Sequence, residues 1–111
     1  VSNVTHMYDM FNGAIAFNQP LNNWNISSVT NMNYVFNGAT SFNQDISSWV
    51  VSNVTTMTGM IFGTTAFNQD ISGWDVSNVT SASVFSVNSG IDGVSAFNPS
   101  NTLLGNFDLL N

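Results

Sequence analysis

Apolar side chains recur along this chain at a fixed step of 25 residues. Trp24, Trp49 and Trp74 keep that step, as do Val4-Thr5, Val29-Thr30, Val54-Thr55 and Val79-Thr80. The triplets Phe17-Asn18-Gln19, Phe42-Asn43-Gln44 and Phe67-Asn68-Gln69 follow it too. So do Met7, Met32 and Met57; Gly13, Gly38 and Gly63; and Leu21, Ile46 and Ile71. Periodicity at this length is the mark of a repeat architecture, in which no unit can bury its apolar face alone and each covers its neighbour.

Within one unit the apolar spacing changes. Ile71-x-x-Trp74-x-Val76 ends in an alternation that predicts a short strand. Val29, Met32, Val35, Phe36 and Ala39 then recur every three or four residues, which predicts a short helix closed by Gly38. The stretch Phe42-Asn43-Gln44-Asp45-Ile46 returns to the next strand. The fold expected is an α/β repeat solenoid, leucine-rich-repeat-like, with one short parallel strand and a short helix or turn per 25-residue coil. Its continuous core would be built from Trp24, Trp49, Trp74 and Phe107, from Phe17, Phe42, Phe67 and Phe97, and from Val29, Val54, Val79, Met32 and Met57.

Regular repeats occupy residues 1–85, about three and a half units. Residues 86–111 depart from the pattern: Phe97-Asn98 follows Phe67-Asn68 by 30, and Phe107 follows Trp74 by 33. The stretch around Val87–Gly93 is rich in Gly and Ser and reads as a loop. This last part is expected to be an irregular coil serving as a cap or a joint.

The run Phe67-Asn68-Gln69-Asp70-Ile71-Ser72-Gly73-Trp74-Asp75-Val76-Ser77-Asn78-Val79-Thr80 resembles the BspA-like family of leucine-rich-repeat surface proteins, in its 25-residue repeat class. Residues 42–55 and 17–30 match nearly as well. The resemblance implies an extracellular or cell-surface, non-enzymatic protein. It is nearly silent about a ligand.

Composition narrows the function further. The chain has 111 residues and no Lys, Arg, Glu or Cys, and its six Asp give a net charge of −6. Its polar residues are mainly 18 Asn, 15 Ser and 10 Thr. Without a cationic side chain there is no phosphate-neutralising patch, which argues against nucleic acid and anionic lipid as partners. No apolar run is long enough for a membrane span. Without Cys there is no disulfide or thiolate chemistry.

Few residues invite a chemical role. His6 is the lone histidine and shares a phase with Asn31, Thr56 and Ser81, so it is expected to face solvent. No nucleophile, base and orienting acid come together, no cofactor motif is present, and an enzyme is not expected. Asp45 and Asp70 share a phase; stacked on neighbouring coils they form a weak Ca²⁺ candidate, since hard cations prefer oxygen ligands. Asn3, Asn25, Asn53 and Asn78 each begin an Asn-x-Ser/Thr sequon and are candidates for glycosylation. The recurrent Asn and Ser positions are expected to form ladders that hydrogen-bond backbone groups at corners, with a ligand surface as the other reading.

Three functions fit this pattern. The first is an extracellular structural subunit stacked head to tail on copies of itself. Val1 has the phase of Ile26, Val51, Val76 and Leu109, which gives about four whole coils with no polar cap before the first. The second is an adhesion module of a longer surface protein, binding a host protein or glycan, with Tyr8 and Tyr34 exposed. The third is binding to ice or mineral through the Thr5, Thr30, Thr55 and Thr80 positions.

Overall fold

The computed structural model describes residues 3–92. Each repeat is a closed run of tight turns, and each lies directly on the next. The four-residue spacings Leu21-x-x-Trp24 and Ile26-x-x-Val29 close as β-turns: the Trp24 N–H donates to the Leu21 carbonyl (3.0 Å) and Val29 to Ile26 (2.9 Å). The same bonds recur at Trp49 to Ile46, Val54 to Val51, Trp74 to Ile71 and Val79 to Val76, all 3.0–3.1 Å. A turn closed this way brings its first and last residues together. Both are apolar here, and nearly all of them are buried.

Residues 32–39, where the spacing predicts a helix, are also fused turns. Tyr34 and Gly38 have left-handed φ values of 58° and 71°. Their counterparts keep that sign: Asp9 and Gly13 one coil earlier, Gly59 and Gly63 one coil later, then Val84 and Asn88. A left-handed residue every fourth position interrupts a right-handed helix. Alternate N–H groups therefore leave the coil. Tyr34, Phe36 and Gly38 donate to the carbonyls of Thr58, Met60 and Phe62 on the next coil (2.9, 2.8 and 2.8 Å). Between them, Asn37 and Ala39 donate back to Tyr34 and Phe36 (3.3 and 2.9 Å).

The α/β expectation is thus corrected. Among the described residues there is no helix and no sheet. Direct pairing is limited to isolated parallel bridges, Asn31 to Thr56 and Thr56 to Ser81. The predicted strand fails because two turns flank the Trp-x-Val alternation and leave too few extended residues. The predicted helix fails because alternate N–H groups bond the neighbouring coil instead of their own.

Side chains of equal phase stack through the core. The Phe17, Phe42 and Phe67 rings are nearly parallel, with centroids 5.9 and 6.0 Å apart. A second pile, Phe11 on Phe36 at 5.5 Å, runs beside it. Phe36 meets Phe42 at 4.0 Å. Beyond Phe36 this second column continues as Ile61 and Ser86, both buried. The Trp49 and Trp74 indole N–H groups donate to the Leu21 and Ile46 carbonyls (3.0 and 3.1 Å), so each buried ring keeps its polar edge paired. Val29, Val54, Val79, Met32 and Met57 are buried, while Phe17 and Trp24 are half-buried on the first coil. Phe97 and Phe107, and the predicted cap or joint beyond residue 92, lie outside the described residues.

Candidate functional site

The polar repeat positions are built into the contacts between coils. The Asn18 side-chain carbonyl accepts the Asn43 N–H (2.9 Å), and the Asn43 side chain accepts the Asn68 N–H (2.8 Å). Gln44 and Gln69 complete the ladder, each donating to both oxygens of the Asn one coil back at 3.0–3.2 Å. On another corner Asn53 and Asn78 donate their side-chain amides to the Ser27 and Ser52 carbonyls, both at 2.7 Å. The Thr55 and Thr80 hydroxyls donate to the Thr30 and Thr55 carbonyls (3.2 and 3.3 Å). Buried Thr64 donates to the Phe36 carbonyl at 2.6 Å.

The acidic residues serve local turns. Asp45, Asp70 and Asp75 each accept the N–H of the Ser two residues on, at 2.9, 2.9 and 3.0 Å. Asp70 and Asp75 also accept the hydroxyls of Ser72 and Ser77 at 2.7 Å. Asn25 makes the same Asx turn with Ser27. The Asp-x-Ser and Asn-x-Ser spacing carries this signal in the sequence, although only Asp45 and Asp70 stand out there as a pair. The Asp45–Asp70 Ca²⁺ position therefore uses one oxygen of each carboxylate inside its own coil. Among the described residues no group of three or more His, Cys, Asp or Glu could hold a metal ion.

These turns make a pH prediction. The Ser hydroxyl first, and the Ser backbone N–H second, hold the carboxyls of Asp45, Asp70 and Asp75 below the usual Asp value of 3.8. A carboxyl with a depressed folded pKa contributes stability above its unfolded value and loses it as pH falls through the folded one. Thermal unfolding should be insensitive to these three groups at pH 5–7 and fall below about pH 4. Replacing all three by Asn, which makes the same turn at position 25, should flatten that acid limb. An unchanged acid limb in the triple variant would refute the assignment.

His6 is exposed and lies 3.0 Å from the Thr5 hydroxyl through Nδ1. No carboxylate hydrogen-bonds its ring among the described residues. His6 thus faces solvent as expected, while its phase-mates Asn31, Thr56 and Ser81 are half-buried and form the parallel bridges. Tyr8 and Tyr34 are exposed. The Tyr34 ring lies over Gly59, where an added Cβ would come within 2.5 Å of it.

The described coils meet through the same backbone contacts at each step. The carbonyls of Asn33, Val35 and Asn37 accept the Asp9, Phe11 and Gly13 N–H groups (3.0, 2.8 and 2.7 Å). Their counterparts on the first coil are Tyr8, Met10 and Asn12, whose carbonyls meet no donor among the described residues. Among the described residues the Trp24 indole N–H meets no acceptor like those of Trp49 and Trp74. Met10 is 41% exposed, whereas Val35, Met60 and Phe85 at the same phase are wholly buried.

No helix among the described residues is long and apolar enough to cross a membrane. Comparison with curated proteins and with solved structures finds no match. The chain belongs to the family described as "Mycoplasma protein of unknown function, DUF285", which it matches over residues 1–101.

Proposed function

We propose that this chain is a non-enzymatic structural element of the cell surface or extracellular space, which stacks head to tail on copies of itself. One observation carries the reading: the described coils join through the same carbonyl acceptors, indole donors and stacked rings from one step to the next, so the face of one coil fits the face of another. Contacts between equivalent faces on different copies propagate when they do not close. The ladders support the same reading, because Asn, Gln and Thr span the coil junctions where a charged position would face its own copy at each step. Family membership and the resemblance to BspA-like surface proteins support the location. The exposure of Tyr8 and Tyr34 favours, as a second reading, an adhesion surface for a host protein or glycan.

Light scattering across a concentration series, with negative-stain microscopy, tests the proposal. Mass should grow with concentration and elongated particles should appear. A constant monomer mass at every concentration overturns the stacking role.

A further inference from the structure

The four sequons are not equivalent once folded. Asn53 and Asn78 commit their side-chain nitrogen to the preceding coil, at 2.7 Å from the Ser27 and Ser52 carbonyls. The hydroxyls of those two sequons, Thr55 and Thr80, also point to the preceding coil and away from their own Asn. At Asn3 the amide has no partner among the described residues, but the Thr5 hydroxyl is engaged with His6. Asn25 differs from all three. It is exposed, its amide nitrogen meets no acceptor among the described residues, and the Ser27 hydroxyl donates to its own Oδ1 at 2.6 Å. The Ser27 N–H donates to the same oxygen at 3.1 Å.

We propose that Asn25 is the one sequon of the folded chain built to accept an N-linked sugar. Two donors on Oδ1 draw electron density toward oxygen and make the amide N–H easier to remove. They also hold Asn25 and Ser27 in one fixed geometry, so a transferase meets amide and hydroxyl together. The donor is a sugar activated through an anomeric diphosphate. The Asn25 Nδ2–C1 bond forms as the C1–O bond breaks, the diphosphate leaves with the electron pair, and the Nδ2 proton passes to a base of the transferase. At Asn53 and Asn78 the nitrogen must first leave the neighbouring coil, which breaks one hydrogen bond of the inter-coil ladder.

The experiment treats the folded protein with a soluble N-glucosyltransferase and UDP-glucose, and maps hexose by intact mass and peptide sequencing. Asn25 should react about ten-fold faster than Asn53 or Asn78, the factor expected for breaking one ordinary hydrogen bond. Short synthetic peptides carrying each sequon, which cannot form the coil contacts, should react at comparable rates, showing that the fold does the selecting. Asn25→Gln should leave the folded chain almost unmodified. Absence of hexose at Asn25 in the folded chain, equal occupancy of Asn53 or Asn78, or the same preference among the peptides would overturn the proposal. Because the readout is site occupancy, it is independent of whether the chain stacks.

Discussion

Phe42→Ala should destabilise the fold by about 3–5 kcal/mol, the range for deleting a buried aromatic ring from a packed core. Phe42 is wholly buried and is the middle ring of its column. It touches Phe17 and Phe67 along the stack and Phe36 across it, at 5.9, 6.0 and 4.0 Å. Removing it leaves three aromatic faces around one void. Neither backbone neighbour can relax into that space, since the coils above and below are tied by hydrogen bonds on both sides. Phe17→Ala provides the comparison: its ring is already half-buried on the first coil, so the loss should be clearly smaller. Urea denaturation followed by tryptophan fluorescence measures both. Equal costs at the two positions would mean that the column is not the core element described here.

Asn43→Ala is expected to cost about 1–3 kcal/mol, the penalty for leaving donors unmatched in a partly buried site. The Asn43 side-chain oxygen receives the Asn68 N–H at 2.8 Å and the Gln69 amide at 3.0 Å. The Asn68 N–H would lose its acceptor, and the Gln69 amide would keep only the Asn43 backbone carbonyl at 3.2 Å. Asn43→Asp keeps an oxygen in place and should recover most of the stability near neutral pH. Asn43→Leu, which is apolar and bulky enough to exclude water, should be at least as damaging as Ala. If Leu were tolerated, the column would owe its stability to packing alone. Together the Phe42 and Asn43 variants separate the two halves of the Phe-Asn-Gln triplet: the ring binds the coils inside, and the two amides bind them at the rim.

Several candidate residues read differently in sequence and in structure. The Asn positions were legible as ladders because a corner that recurs in every coil must hydrogen-bond its backbone groups the same way each time. Asp45 and Asp70 looked like a pair because they share a phase. Their actual partners are two residues away in the chain, and Asp75, at a different phase, does the same work. The sequons are alike as triplets, yet the direction of one hydroxyl and one amide distinguishes Asn25 from Asn53 and Asn78.

The sequence by itself determined the step of 25, which side chains stack on which, and the use of uncharged amides and hydroxyls where coils meet. Each of these follows from repetition, since a residue in a stack sees its own counterpart above and below. Only the tertiary structure decided what each coil is made of. A three-residue apolar interval suits a helix and a β-turn equally well, and the difference lies in where the N–H groups go. In this chain, every second one between residues 34 and 38 crosses to a carbonyl 24 residues ahead. Local spacing cannot report a bond of that range. Nor could it announce the left-handed residues that make the crossing possible, because Asp9, Tyr34 and Val84 hold that conformation without being glycine.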